Sequence, residues 1–221
     1  MKTFILFLGL LGWSWQSLAA EPAYCDPNQF QNFETQYSGS KPVRFHVYKI
    51  GNLNLAGMAV GSSKIADVVK AAQTLSNSAA QDANNYCTWY YNDGNNQAQD
   101  TFNWHYVPKP TGSDYQAMGD SYMQVLGDQF DQADVSFLSC AVHTGYVGMG
   151  CDGMMHRGPS VFAMLLAYAG CSPANAATIA TKIWGSNGIT LEMRTALAKR
   201  AADLAASHPE LASQLRALMT P

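Results

Sequence analysis

Residues 134–159 read Asp-Val-Ser-Phe-Leu-Ser-Cys-Ala-Val-His-Thr-Gly-Tyr-Val-Gly-Met-Gly-Cys-Asp-Gly-Met-Met-His-Arg-Gly-Pro. The short apolar run from Val135 to Leu138 predicts a buried strand that leads to Cys140. The glycine-rich residues that follow predict a loop, which carries two histidines and a second cysteine. Pro159 then suits the first position of a helix. This concentration of cysteine and histidine makes the stretch the first place to look for chemistry.

Upstream of this stretch, the pattern predicts a mixture of strands and helices. Val43 to Ile50 alternates and is rich in β-formers, which is typical of a strand. Residues 52–60 either extend that strand or form a second one after a turn. Apolar residues at helical spacing then predict a helix that begins at Ser62 or Ser63 and ends near Asn84. A further helix is predicted over residues 114–132.

Two aromatic segments, Tyr86–Tyr91 and Thr101–Val107, flank the turn signal Asn92-Asp93-Gly94. They predict an antiparallel hairpin with a long tip. Aromatic rings with polar tips can line a groove for a sugar or a peptide. The candidate binding residues on this hairpin are Trp89, Tyr91, Trp104 and Tyr106.

The remainder of the chain is predicted to be helical. One helix begins at Pro159 and stops at Gly170, and a second begins at Ser172-Pro173 and ends near Gly185. A third covers residues 190–207, and a short last helix follows the break at His208-Pro209. The order of elements favours an α+β fold, or a small mixed α/β layer, with an all-helical C-terminal part.

The N-terminus has the features of an export signal. Lys2 precedes an apolar run from Phe4 to Trp15, and small residues then mark a cleavage site that gives a mature start near Ala20. The predicted organisation is a signal peptide at 1–19, a mixed α/β core at 20–158 and a helical part at 159–221 packed on the same domain. The protein is therefore expected in the periplasm or outside the cell, with no membrane span after signal cleavage.

The charge balance gives no reason to expect a nucleic-acid partner. The chain of 221 residues carries 13 Lys and Arg against 16 Asp and Glu, a net charge of −3. Clustered positive charge is the usual footprint of nucleic-acid binding. The sequence also contains no nucleotide phosphate loop, dinucleotide glycine pattern or zinc-binding His-Glu-x-x-His helix, so no cofactor is expected.

All five cysteines lie after the signal, where disulfide pairing is the default. Because five is odd, at least one cysteine is free or bonds another chain. Pairing of Cys25 with Cys87 and of Cys151 with Cys171 would leave Cys140 as the free thiol. A Cys140–Cys151 bond would instead close the glycine-rich loop, and the sequence does not decide between the two.

Cys140 is the candidate nucleophile. A thiol attacks as its thiolate, which an adjacent histidine usually stabilises, and His105 and His143 are the candidate bases. Residues 135–140, Val-Ser-Phe-Leu-Ser-Cys, loosely resemble the nucleophile strand of caspase-like cysteine peptidases, in which an apolar strand ends in the cysteine. The resemblance implies a thiol-dependent hydrolase.

A metal site is a weaker alternative for the same stretch. Cys140, His143, Cys151 and His156 make four possible ligands, and zinc takes such sets tetrahedrally. The spacing matches none of the common zinc motifs, and disulfide formation competes for the thiols.

Two functional hypotheses follow. The first is an exported, disulfide-stabilised protein that binds a partner protein or a component of the cell envelope. The second is a hydrolase with Cys140 as its nucleophile.

Overall fold

The computed structural model describes residues 20–26, 31–34, 45–59, 87–90, 103–106, 117–151, 157–185 and 188–221. The predicted signal peptide and the helix predicted after Ser62 lie outside these ranges. The described elements are β1 Gln31–Glu34, β2 Phe45–Ile50, β3 Leu53–Ala59, β4 Cys87–Tyr90, β5 Asn103–Tyr106, α1 Ala117–Thr144, β6 Tyr146–Cys151, α2 Arg157–Tyr168, α3 Pro173–Trp184, α4 Leu191–Ala205 and α5 Pro209–Met219. In β1, β4 and β5 only the backbone is described.

The strands form one mixed sheet in the order β1-β2-β3-β6-β4-β5. β2 is antiparallel to both of its neighbours. β3, β6, β4 and β5 all run parallel to one another. The α+β class and the all-helical C-terminal part are therefore confirmed, and the carboxyl ends of four parallel strands meet at one edge of the sheet.

The predicted antiparallel hairpin of residues 86–107 is wrong, because its two strands run in the same direction. Both strands are present as β4 and β5, but they pair in parallel. The 12 residues that separate Tyr90 from Asn103 are long enough for the crossover that parallel neighbours require. The antiparallel hairpin is instead β2–β3, which turns at Gly51-Asn52, as one of the two readings of residues 52–60 predicted.

The predicted strand at Val135–Leu138 is also wrong, because these residues belong to α1. The buried side chains of α1 include Leu126, Phe130, Phe137 and Ala141, a spacing that places them along one helical face. The helix ends at Thr144, and Gly145 follows with a φ of +66°, a left-handed conformation that favours glycine after a helix.

The predicted glycine-rich loop is in large part a strand. β6 lies between β3 and β4, and all six of its residues are buried. A strand that is covered on both faces has no apolar–polar alternation to reveal it. Residues 134–159 therefore include the end of α1, an inner strand and the start of α2.

The C-terminal helices begin and end close to the predicted residues. The Ser172 hydroxyl accepts a hydrogen bond from the Asn175 N–H at 3.3 Å, and the Thr190 hydroxyl accepts one from the Met193 N–H at 3.2 Å. Such caps satisfy backbone donors of the first helical turn. None of the helices within the described ranges is long and apolar enough to cross a membrane.

A single hydrophobic core joins the sheet to these helices. At its centre, the Trp184 ring packs edge-on against Tyr48, with ring centroids 5.1 Å apart. The same ring lies directly on Gly57 of β3, where a Cβ atom would sit 2.1 Å from Trp184 Cη2. The absence of a side chain at Gly57 is what admits the indole ring.

We expect Gly57→Ala to lower the free energy of unfolding by about 1–3 kcal/mol, because the added methyl group overlaps a ring that has no room to move. Urea denaturation monitored by tryptophan fluorescence measures the change. Combining it with Trp184→Phe should give a smaller loss than the sum of the two single losses. Additive losses would show that the two residues do not compete for the same space.

Candidate functional site

The candidate site lies where β6 ends and α2 begins. β6 ends at Cys151, and α2 starts six residues later at Arg157. In open sheets with parallel strands, ligands bind beyond the carboxyl ends of the strands. The N-terminus of a helix adds partial positive charge at such a position. The five connecting residues lie outside the described ranges.

Cys151 is a free thiol and is fully buried, at 0% exposed surface. This corrects the prediction that it takes part in a disulfide. Cys171 lies beyond the other end of α2, and a helix of 12 residues spans about 18 Å. Two cysteines form a disulfide only when their Cα atoms lie within about 7 Å of each other.

Cys171 is bonded instead to Cys25, with 5.5 Å between the Cα atoms. The predicted Cys25–Cys87 pair is therefore wrong. Neighbouring hydrogen bonds fix the same N-terminal segment: the Tyr24 hydroxyl donates to the carbonyl of Ala169, and the Asn175 amide donates to the carbonyl of Cys25 at 2.7 Å. The segment that precedes the sheet is thus tied to the turn between α2 and α3.

Cys140 is also disulfide-bonded, to a partner whose side chain lies outside the described residues. The structure thus contradicts both a free Cys140 and the Cys140–Cys151 bond. A sulfur in a disulfide is not a nucleophile, so the resemblance of this segment to a strand of caspase-like peptidases fails as well. Cys140 lies within a helix and not at the end of a strand.

Two arginine side chains are buried in this part of the fold. Arg157 is 3% exposed at the start of α2, and Arg194 on α4 is 0% exposed. Burial lowers the pKa of Arg194 to about 10, and attraction to the charge of Cys151 acts in the opposite direction.

The two candidate histidines lie at different distances from Cys151. His143 is exposed in the last turn of α1, just before β6 begins. The length of β6, about 17 Å, separates it from Cys151. His105 lies on β5, level with Met149 of β6 across the intervening β4. Its backbone is two strands across the sheet from β6 and two residues short of the level of Cys151, about 12 Å away in all.

The four-residue metal set is not assembled. Cys140 is engaged in a disulfide, and His143 and Cys151 lie at opposite ends of β6. His156 lies outside the described ranges. Among the residues that the structure does describe, no group of three or more His, Cys, Asp and Glu side chains is placed to hold a metal ion.

The aromatic binding surface stays a prediction. Trp89, Trp104 and Tyr106 lie on β4 and β5, whose side chains are not described, and Tyr91 lies outside the described residues. Because these strands pair in parallel, residues of β4 and β5 lie opposite different partners from those that an antiparallel hairpin would have given.

Arg157 and Arg194 were not singled out from the sequence. The local signal for Arg157 is its place directly before the Gly-Pro of a helix start. Arg194 has no comparable local signal, because packing alone brings α4 to this region. No family model, curated protein or solved structure matches the chain, so its function can be inferred only from the site itself.

Proposed function

We propose that the protein is a thiol-dependent phosphomonoester hydrolase with Cys151 as its nucleophile. The observation that carries the proposal is a free, buried thiol at the end of an inner parallel strand, followed after five residues by a buried arginine at a helix N-terminus. The predicted class of thiol-dependent hydrolase is kept, and the nucleophile moves from Cys140 to Cys151.

The buried positive charge of Arg157, the next described residue after Cys151, favours a phosphate substrate over a neutral ester or peptide. A guanidinium group binds two phosphate oxygens at once through its planar fork of N–H donors. The N-terminus of α2 adds a partial positive charge. A neutral ester or peptide carries no charge for these groups to bind.

The reaction has two balanced steps. The Cys151 thiolate attacks phosphorus, a phosphorus–sulfur bond forms, and the ester phosphorus–oxygen bond breaks as the leaving oxygen takes a proton. Water then attacks phosphorus and the phosphorus–sulfur bond breaks, which releases inorganic phosphate and restores the thiolate. The sum is hydrolysis of one ester by one water molecule. Arg157 stabilises the charge on the transferring phosphoryl group in both steps.

His105 is our candidate for the proton donor and acceptor of these steps. β5 is parallel to β6 and ends at the same edge of the sheet. A histidine titrates close to neutral pH, which suits both roles. His143 is not a candidate, because it lies beyond the opposite end of β6.

We also propose that the protein works outside the cytoplasm. The support is the Cys25–Cys171 bond together with the bonded state of Cys140, since disulfides persist mainly in oxidising compartments. The signal-like N-terminus agrees with this location.

The proposed reaction is tested with the purified chain, both disulfides intact, and p-nitrophenyl phosphate in the presence of a chelator. We expect release of phosphate, and an acid-quenched sample should contain a phosphorylated peptide that includes Cys151. p-Nitrophenyl acetate, a neutral ester with the same leaving group, is the matched control and should react much more slowly. Preferential hydrolysis of the acetate would overturn the assignment of a phosphate substrate.

Arg157→Lys tests the phosphate contact. We expect kcat/KM for p-nitrophenyl phosphate to fall about a hundredfold or more, because lysine keeps the charge but loses the two-pronged contact. Arg200→Lys is the control, since Arg200 lies at the surface and binds Asp128 and Asp131 at 2.7 and 2.9 Å. Equal effects of the two substitutions would exclude a specific role for Arg157.

A further inference from the structure

A surface groove lies outside the candidate site, between the start of α3 and the outer face of α4. It has a volume of about 780 Å³ and is lined by residues 172–174 and, on α4, by Leu191, Glu192, Thr195, Ala196 and Lys199. Among the side chains that the structure describes, Leu191 is the one large apolar group that stays exposed, at 47% of its surface. An exposed leucine that continues an apolar groove is typical of a surface that contacts a partner. We call this surface the α4 groove.

The two charged residues of the α4 groove are spaced to complement each other across a two-fold axis. Glu192 and Lys199 are seven residues apart, which is about two helical turns, so they share one face of α4. If two copies of α4 pack antiparallel about an axis between Thr195 and Ala196, Glu192 of each copy lies opposite Lys199 of the other. Because a two-fold axis repeats every contact, this arrangement gives two intermolecular ion pairs.

The same arrangement gives the exposed leucine an apolar contact. Arg194 Nη1 donates to the Thr181 hydroxyl at 2.6 Å, which places the last turn of α3 beside the first turn of α4. The two helices pack on each other, so Pro173 and Ala174 at the start of α3 line the groove beside the later turns of α4. The two-fold axis brings Leu191 of the second copy to this end of the groove.

We propose that the α4 groove is the interface of a symmetric dimer, in which α4 of one copy packs antiparallel on α4 of a second copy. Thr195 and Ala196, at the crossing point, are small enough for the two helices to approach closely. Lys199 also lies 2.6 Å from Asp203 of its own helix, but an ammonium group has three N–H donors and can bind a second carboxylate. The face is short, so we expect a dimer that exchanges with monomer at micromolar concentrations. The dimer does not depend on the proposed catalytic activity.

The test is sedimentation equilibrium of the purified chain, with its disulfides intact, over a range of concentrations. Glu192→Lys and Lys199→Glu each place like charges opposite each other at two points of the interface. Each substitution should therefore raise the Kd of self-association about tenfold or more. An equimolar mixture of the two variants should form heterodimers with nearly the original affinity, because every charge in the mixed pair again faces its opposite.

Leu191→Gln should also raise the Kd about tenfold or more, since the dimer loses two buried leucine side chains. Glu210→Lys is the matched control. Glu210 is likewise an exposed acid in the first turn of a helix, but it lies on α5 and outside the groove, so its reversal should leave the Kd unchanged. Thermal melting of each variant establishes that it is folded.

A chain that stays monomeric at millimolar concentration would overturn the proposal. Dimers that persist in both charge variants would overturn it as well, because they would have to form through another surface. The same holds if the two charge variants are folded but do not associate when mixed. Neither measurement uses a phosphate ester, so an inactive protein that dimerises in this way would refute the proposed function and not this inference.

Discussion

Cys151→Ser is expected to lower the hydrolysis of p-nitrophenyl phosphate by about a thousandfold or more, since the step that forms the phosphorus–sulfur bond is lost. Serine has nearly the same size as cysteine, so the fold should persist. Inorganic phosphate should still bind, because the substitution leaves Arg157 in place. Steady-state kinetics, phosphate binding by calorimetry and thermal melting together separate loss of chemistry from loss of structure.

Cys140→Ala provides the contrasting variant. Because Cys140 is disulfide-bonded, its loss should reduce stability and leave the activity of the folded molecules unchanged. The opposite pattern, with activity lost in Cys140→Ala and kept in Cys151→Ser, would restore Cys140 as the nucleophile. It would also show that the disulfide of Cys140 is absent from the working protein.

Removing the Cys25–Cys171 bond is expected to lower the free energy of unfolding by about 2–5 kcal/mol. The two cysteines are 146 residues apart in the sequence, and a bond that closes so long a loop restricts the unfolded chain strongly. The double variant Cys25→Ala with Cys171→Ala leaves no unpaired sulfur behind. Urea denaturation measures the loss.

Tyr24→Phe is the matched control for this variant. It removes only the hydroxyl that donates to Ala169 and should cost about 1 kcal/mol. The denaturant slope should also rise in the double cysteine variant, because its unfolded state is more expanded. An unchanged midpoint and slope would mean that the bond does not constrain the chain in solution.

The C-terminal helices were predictable because their signals are local. Ser172 and Thr190 cap helices through hydrogen bonds that span only three residues. Pro173 and Pro209 begin helices for equally local reasons. A sequence read in short windows contains all of this information.

The centre of the fold was not predictable in the same way. The β-prone residues around Phe137 indicate a strand locally, whereas burial along one face with Leu126 and Phe130 makes them helical. The glycines of β6 suggest a loop, but neighbouring strands and helices cover it on both sides. In each case tertiary packing decided between two local possibilities.

The candidate site likewise combines features that the local sequence indicates with features that only tertiary packing creates. The sequence indicates Cys151 as a candidate, but the 12-residue helix α2 separates it from Cys171 and prevents the bond that the cysteine count allows. The arrangement of Arg194 depends on α3 and α4 meeting, which no short motif records. Arg157 stands next to the predicted start of α2, but its burial likewise depends on packing.

The length of α2 has a consequence for sulfur exchange. A thiolate breaks a disulfide only by direct attack on one of its sulfur atoms. With α2 between them, Cys151 and the Cys25–Cys171 bond stay out of collision range for as long as the helix is formed. The helix therefore protects the Cys25–Cys171 bond from exchange with the free sulfur of Cys151, and α2 would have to melt locally before the two could react.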